Sequence, residues 1–215
     1  MTANTIQHHI SDSLLMSYAA GSLPEAFSLV VAAHVSLCDE CRAQLAAFEA
    51  VGGAVVEGEQ ASMSQGALDQ CLARIEGPAP KGEPKPRRQG ILPGPLAGYV
   101  GGDLSAVKWK QLAGGVRQAI LPTAKGATAR LLHIPAGAAV PDHGHRGLEL
   151  TLVLQGAFCD DDGRYGPGDV EIAGEAVDHT PVAEAGADCI CLAATDAPLR
   201  FRGLFPRLLQ PLFRI

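Results

Sequence analysis

Apolar residues recur at intervals of three and four through the first third of the chain, which is the spacing of helices that each bury one face. Gly21 is placed to break a helix, and Pro24 suits a first helical turn. The pattern predicts four helices: one from Ser11 or Asp12 to Gly21, one from Pro24, one from Asp39 to Ala54, and one from Ser64 to Ile75. On the last helix Cys71 shares one side with three aliphatic residues, so we expect this thiol in the core.

The hydrophobic pattern changes in the second half of the chain. Short β-prone runs alternate there with turns rich in Gly, Pro and Asp, which is typical of an antiparallel barrel or sandwich. The predicted strands are Ala106–Leu112, Arg117–Leu121, Ala129–Ile134, Leu148–Leu154, Val170–Ile172 and Cys189–Ala193.

A segment rich in Pro, Gly and charge separates the two patterns, and it cannot hold a continuous helix or a central strand. We therefore predict two domains, an all-α four-helix domain followed by an all-β barrel. The predicted bounds are 1–77 for the helical domain, 78–95 for the linker, 96–199 for the barrel and 200–215 for a docked or partly disordered tail.

Charge narrows the choice of partner. The 215 residues carry a formal net charge of −6, which argues against direct binding to nucleic acid, because such proteins need a basic face. The imbalance is concentrated up to Glu76, where nine acidic side chains face two basic ones. This acidic module could pair with a basic protein, including one whose normal partner is DNA, or the charge could serve solubility alone.

The apolar runs and the cysteines predict a cytoplasmic protein that does not enter a membrane. Residues 1–9 lack the basic and apolar pattern of a secretory leader, and the apolar run 26–37 is too short and interrupted to span a bilayer. In a reducing compartment, clustered cysteines more often bind metal than form disulfides. We expect Cys189 and Cys191 to pack in the barrel, and an acidic hairpin tip at 160–162 to raise the pKa of Cys159.

A first set of metal-ligand residues lies in the helical half. At helical spacing His34, Cys38 and Cys41 can converge, because steps of four and three residues return to one face. Thiolates and imidazoles suit tetrahedral zinc, and a structural zinc site takes four protein ligands. The fourth ligand would come from His8 or His9, clamping the start of the chain onto a helix pair.

A second set lies in the barrel half. His143 and His145 are two residues apart, so on a strand both point to one face, and Glu149 has the same parity. Two imidazoles and a carboxylate suit a divalent transition metal. The next histidine along the chain, His179, is the candidate for a fourth ligand.

The second set resembles the first metal motif of the cupins, which are small β-barrels with a metal in the mouth. Its spacing is Gly137-x5-His143-x-His145-x3-Glu149-x6-Gly156. The resemblance implies that His179 is delivered by the second cupin motif, although the Pro-Gly pair usual before that histidine and the Asn usual after it are absent.

The first set, in turn, resembles the zinc anti-sigma module of bacterial regulators, and that resemblance favours His9 over His8. The two motifs in this order, with a proline-rich joint, closely resemble the ChrR-type anti-sigma factors. The resemblance implies a regulator that is not an enzyme, with zinc in both domains. Its helical domain would sequester an extracytoplasmic-function sigma factor as a heterodimer, and its cupin domain would release that factor in response to singlet oxygen or related oxidants.

Two other functions fit the same residues. A three-His, one-Glu cupin site can hold iron and activate oxygen, so the chain could be a dioxygenase with a helical targeting module, although four protein ligands leave less room for substrate. Alternatively, both metals could be purely structural, in an adaptor protein. Iron content with turnover of a small diketone or thiol would favour the enzyme, and an oxidant response unchanged by loss of the barrel metal would favour the adaptor.

Overall fold

The helices of the protein lie mainly in its first half. The computed structural model describes residues 6–78 and 90–201, with the side chain of Phe201 excepted. The described helices are α1 (Asp12–Ala19), α2 (Glu25–Val35), α3 (Asp39–Gly58), α4 (Ala67–Glu76) and α5 (Gly94–Val100). Most of the predicted linker and all but the start of the predicted tail lie outside the described residues, as do the first five residues.

Helix α2 lies at the centre of the molecule. Seven of its eleven residues are buried, including Phe27, Val30 and Val31, so it is apolar on nearly every side, as a helix enclosed by other elements must be. It packs against α1, α3 and α5 and against the main β-sheet. A single hydrophobic core therefore joins the helices to the sheet.

The second half forms antiparallel sheets. The described strands are β1 (Lys110–Gln111), β2 (Arg117–Ile120), β3 (Thr128–Ile134), β4 (His143–Gly144), β5 (Glu149–Gln155), β6 (Phe158–Cys159), β7 (Arg164–Tyr165), β8 (Val170–Ala173), β9 (Asp178–His179), β10 (Val182–Ala183), β11 (Cys189–Thr195) and β12 (Arg200–Phe201). They pair as one six-stranded sheet in the order β1-β2-β3-β11-β5-β8 and two three-stranded sheets, β10-β6-β7 and β12-β4-β9. One face of the large sheet receives α2, and the other lines the barrel interior.

A second, smaller core fills one end of the barrel interior. It contains Phe158 stacked on Tyr165, together with Ile134 and Val153. Cys189 and Cys191 are buried here with their Sγ atoms 3.4 Å apart, which confirms the prediction that they pack in the barrel.

The boundaries of several predicted elements were wrong. Helix α3 continues past the predicted end at Ala54 to Gly58, and the short helix α5 (Gly94–Val100) was not predicted because its two glycines resemble a turn. Burial of Leu96 and Ala97 beside α2 stabilises α5 in spite of that local preference. The first predicted strand shrinks to β1, which follows a 3-10 turn at Leu104–Ala106.

Helix α4 packs differently from the prediction. Cys71 is exposed rather than in the core, and no residue of α4 is buried. The predicted apolar stripe exists, but Leu68 and Ile75 are about 70% exposed, at 69% and 73%. The helical spacing of apolar residues predicts that a stripe exists. Whether the rest of the chain covers that stripe depends on tertiary packing.

Candidate metal centres

Two imidazoles and two thiols converge where α2, α3 and the start of the chain meet. The candidate ligand atoms of His9, His34, Cys38 and Cys41 all lie within 4.8 Å of one another, and we call this set the helical centre. Cys38 is the residue before α3, and its Sγ accepts the backbone N–H of Cys41 at 3.4 Å. His9 Nδ1 lies 3.3 Å from Cys38 Sγ and 3.6 Å from Cys41 Sγ.

The surroundings of the helical centre suit a cation. The carbonyl of Gly168 can only accept, so His34 Nδ1 carries the proton and donates at 2.9 Å, leaving a lone pair on Nε2. That buried Nε2 has no hydrogen-bond partner among the described residues, and burial lowers the pKa of His34 to about 4, so the ring is neutral. Burial also raises the pKa of Cys41 to about 11, so a thiolate there needs a positive ion beside it.

The two adjacent histidines at the start of the chain face different ways. His9 turns to the cysteines, whereas the ring of His8 lies 4.4 Å from that of Tyr165 in the barrel. His8 Nδ1 is also 3.7 Å from an oxygen of Asp169. The structure therefore places His9, and not His8, among the candidate ligands.

Three further imidazoles converge in the barrel. The Nε2 atom of His179 lies 3.2 Å from that of His143 and 3.3 Å from that of His145, and we call these three residues the barrel centre. His143 and His179 are direct cross-strand partners on β4 and β9, so the sheet register itself brings them together. All three are buried.

The outer nitrogens of two of these rings, His143 and His179, also favour a metal. His143 Nδ1 donates to the carbonyl of Pro141 at 2.8 Å, and His179 Nδ1 lies 2.8 Å from Asp160 and 2.9 Å from Glu171. Acceptors on Nδ1 direct the Nε2 lone pairs inward, which is the usual outer shell of a metal-bound histidine. Inward lone pairs only 3.2 Å apart repel one another unless a cation or a proton lies between them.

Carboxylates control the charge at His179. Burial lowers its pKa, but the carboxylates of Glu171 and Asp160 outweigh burial and raise the pKa to about 9. Burial raises the pKa of Glu171 itself to about 7. The pocket therefore stabilises a positive charge on His179, and a divalent metal at Nε2 supplies that charge in place of a proton.

The carboxylate of Glu149 lies beside the barrel centre and outside the three-imidazole cluster. One oxygen is 3.6 Å from His145 Nδ1, and the other accepts the hydroxyl of Thr151 at 3.2 Å. Its role as a fourth ligand stays a prediction. The centre borders a largely apolar cavity of about 230 Å³, which Glu149 and Glu171 also line.

Sequence reasoning missed Asp160 and Glu171. Asp160 was assigned to the acidic hairpin tip, and the hairpin between β6 and β7 does form there, but the Asp160 carboxylate turns inward to His179. Glu171, a charged residue within a β-prone run, was the one local signal of a buried carboxylate. The pKa of Cys159 is raised, as predicted, but mainly through burial and the Glu184 carboxylate that accepts its thiol hydrogen bond, with Asp160 of the hairpin tip contributing least.

We expect Asp160→Asn to weaken metal binding at the barrel centre by about 10- to 100-fold, the usual cost of losing an outer-shell partner. Asn has an NH2 group in place of one carboxylate oxygen. This donor must face either the Nδ1–H donor of His179 or the two backbone N–H donors of the hairpin, so one of the present hydrogen-bonding sets is lost. Competition with a chromophoric chelator measures the effect, and Asp161→Asn, at an exposed neighbouring position, is the matched control. Equal affinities for the two variants would contradict the outer-shell role of Asp160.

Fold and centres together define a class of protein: a helical module with a Cys2His2 centre packed on a cupin-like barrel with an all-histidine centre. Residues 99–197 match the family described as the ChrR cupin-like domain. Anti-sigma-E factor ChrR of Cereibacter sphaeroides is 60% identical over 212 residues, which cover 98% of this chain and all of that protein. This chain belongs to the ChrR family of anti-sigma factors.

The solved structures include a close relative. A chain in the crystal structure of Rhodobacter sphaeroides SigE in complex with the anti-sigma ChrR matches with a TM-score of 0.80 and 59% identity, covering 89% of this chain and 100% of that one. The predicted fold class and the prediction of a regulator rather than an enzyme are thereby confirmed. Within residues 6–78 and 90–201, no helix combines the length and apolarity needed to cross a bilayer.

Proposed function

We propose that this protein binds an extracytoplasmic-function sigma factor one-to-one in the cytoplasm, and that its barrel centre senses singlet oxygen or related oxidants and triggers release. The first half of the proposal follows from family membership, since the matched structure of the relative is a complex of SigE with its anti-sigma factor. The second half depends on the metal centres and on how they connect.

The observation that supports sigma binding best is an apolar surface without a partner in the described chain. Val51 and Val55 lie one turn apart on α3, and Leu68, Leu72 and Ile75 form a stripe on α4; we call these five residues the open apolar stripes. Their side chains are 45–73% exposed. Exposed aliphatic residues at helical spacing normally mark a binding face.

The charge around the open apolar stripes favours a basic partner. Acidic side chains are interspersed with the stripes, including Glu49, Glu57 and Asp69, and Arg74 is the one basic residue on α4. Such a surface suits a protein whose basic face otherwise meets DNA, because opposite potentials favour association and like potentials reject other partners. A sigma factor has such a face.

We propose zinc at both centres. Two thiolates and two imidazoles, the groups brought together at the helical centre, are a ligand set that suits structural zinc. Three imidazoles with a neighbouring carboxylate suit zinc at the barrel centre, with Glu149 as the proposed fourth ligand.

Zinc has no redox chemistry, so an oxidant must modify protein groups. The candidates are the imidazoles of the barrel centre and the buried pair Cys189 and Cys191. A hydrogen bond with Cys189 and burial raise the pKa of Cys191 well above its usual value, which leaves little reactive thiolate. Cys191 and the imidazoles of His143 and His179 line the same cavity, so the low thiolate fraction favours these imidazoles as the groups that react first.

The binding proposal is tested with SigE of Rhodobacter sphaeroides, the sigma factor in the relative's complex. The purified full chain, titrated against SigE, should form a one-to-one complex and inhibit SigE-dependent transcription by core polymerase at the same ratio. The relative, ChrR, is the positive control. If ChrR binds SigE and this chain does not inhibit it even at high excess, sequestration of this sigma factor is wrong.

We expect His143→Ala with Glu149→Ala to remove the barrel metal and the oxidant response while leaving sigma binding intact. The substitutions delete one imidazole of the barrel centre and the proposed fourth ligand, and neither residue belongs to the open apolar stripes. Metal content is measured together with sigma release under illumination with a photosensitiser. His133→Ala, a histidine outside both centres, is the control. Normal release from the double variant would refute the barrel as sensor.

A further inference from the structure

We infer that Asp169, a barrel residue, is a positioning residue for the helical centre: it holds the start of the chain so that His9 lies against the two cysteines. Residues 6–10 are here called the N-terminal arm, and residues 166–170, just before and at the start of β8, the clamp turn. The inference rests on the metal assignment of the helical centre proposed above.

Backbone hydrogen bonds fix the N-terminal arm on the clamp turn immediately before His9. Asp169 Oδ1 accepts the backbone N–H of Gln7 at 2.6 Å and that of His8 at 2.9 Å. The carbonyl of His8 accepts the N–H of Val170 at 3.1 Å. Both sides of residue 8 are therefore tied to the barrel, and the next side chain, His9, can reach the thiols of Cys38 and Cys41.

Asp169 is itself held rigidly. Its other oxygen accepts the N–H of Gly166 at 2.8 Å, and the residue is only 4% exposed. Burial acts to raise its pKa, but the N–H groups of His8, Gly166 and Gln7 outweigh it and keep the pKa below its usual value. A buried carboxylate with all its oxygens satisfied by backbone donors has one geometry, which makes it a suitable anchor.

Gly168 allows the N-terminal arm to lie close to the clamp turn. Its φ is +94°, and a Cβ there would lie 2.7 Å from Ile6 Cδ1. Ile6 covers the position where any other side chain would stand, so a non-glycine residue would be strained and would also displace the arm.

The clamp turn also orients the second imidazole of the helical centre. The carbonyl of Gly168 accepts Nδ1–H of His34 at 2.9 Å, which directs His34 Nε2 to the cysteines. Both imidazoles of the helical centre therefore depend on contacts from the barrel. Cys38 and Cys41, in contrast, lie at the start of α3, where Cys41 also has a hydrogen bond with the backbone of Ile10 in the N-terminal arm.

The same strand reaches the barrel centre. Glu171, two residues after Asp169 on β8, lies 2.9 Å from His179 Nδ1. A shift of β8 caused by damage at His179 would reach the clamp turn over a few residues. The clamp turn thus gives the sensor a physical route to the sigma-binding module.

Cobalt(II) reports on the helical centre separately. Thiolate ligands give Co²⁺ an intense near-ultraviolet charge-transfer absorption, and only the helical centre contains cysteine. The full chain, its Asp169→Ala variant and the control Asp162→Ala, at an exposed position, are each loaded with Co²⁺ and titrated with a chelator. We expect Asp169→Ala to lower apparent affinity at the helical centre by about 10- to 100-fold, the range for outer-shell partners.

Alkylation of Cys38 and Cys41, followed by mass spectrometry, should accelerate by a similar factor, whereas Co²⁺ at the barrel centre should be retained. If Asp169→Ala fails to fold, Ile6→Ala, which leaves the barrel intact, should show a smaller weakening of a few-fold. Wild-type affinity and alkylation rates in these variants would overturn this inference alone. Absence of the charge-transfer band from the unsubstituted chain would instead overturn the metal assignment itself, and this inference with it.

Discussion

Replacing Cys38 and Cys41 together by serine should abolish sigma binding and release one equivalent of metal, the largest effect we expect of any change in this protein. Structural zinc in small modules contributes about 10–16 kcal/mol of binding free energy that is also folding free energy. The helical centre joins the N-terminal arm, α2 and α3, and only Cys41 and Leu45 of the twenty residues in α3 are buried. Without metal, little apolar contact remains to hold α3 against α2.

Metal content, the far-ultraviolet circular dichroism of the full chain and its affinity for SigE measure the outcome. We expect the loss of helical signal to come mainly from α3, because α2 still packs on the sheet through the shared core and the barrel interior has a second core. Cys71→Ser is the matched control, since this thiol is exposed on α4 and belongs to neither centre. A double serine variant that still bound SigE as tightly as the control would show that the helical centre does not support the binding surface.

Placing charges on the α4 stripe should weaken SigE binding strongly without changing the fold. Leu68→Asp with Leu72→Asp puts two carboxylates on one of the open apolar stripes, where both leucines are exposed in the free chain. An interface hot spot contributes at least about 2 kcal/mol, or about 30-fold in affinity, so the double change should cost about 1,000-fold if the effects add. The added negative charges are tolerated in the free chain because no residue of α4 is buried.

The matched control places the same two charges on the opposite face of the same helix, as Gln70→Asp with Ala73→Asp, which lie about half a helical turn away from the stripe. Affinity for SigE is measured by titration, and thermal unfolding of the free chains checks that both variants fold equally. Equal losses in the two variants would mean that net charge, and not the apolar stripe, governs binding. No loss in either would remove α4 from the sigma interface.

Local sequence was enough to predict most candidate ligands. Spacings of four and three on a helix brought His34, Cys38 and Cys41 together, and a spacing of two placed His143 and His145 on one face. Five of the six predicted strands recur with bounds shifted by at most two residues, because their β-branched and aliphatic runs are bounded by strong turn residues. These properties depend on neighbours within about one helical turn.

Contacts between distant parts of the chain could not be predicted in this way. The position of His179 opposite His143 depends on strand register, and the inward turn of Asp160 depends on a hairpin closing beside β9. The hydrogen bonds between Asp169 and the N-terminal arm span sequence separations of 161 and 162 residues. No local period encodes such pairs, since they form only when segments far apart in the chain pack together.

By itself, then, the sequence determined most of the candidate ligands, the helical and β halves and the acidic charge of the first module, because each is a property of composition or short-range spacing. The tertiary structure decided that α4 remains uncovered, that His9, which the resemblance favoured over His8, faces the cysteines, and that one barrel turn contacts both the His34 imidazole and the backbone just before His9. The physical reason is that burial and long-range hydrogen bonding depend on which surfaces meet, and the packing of α2 against the sheet determines this for the whole molecule.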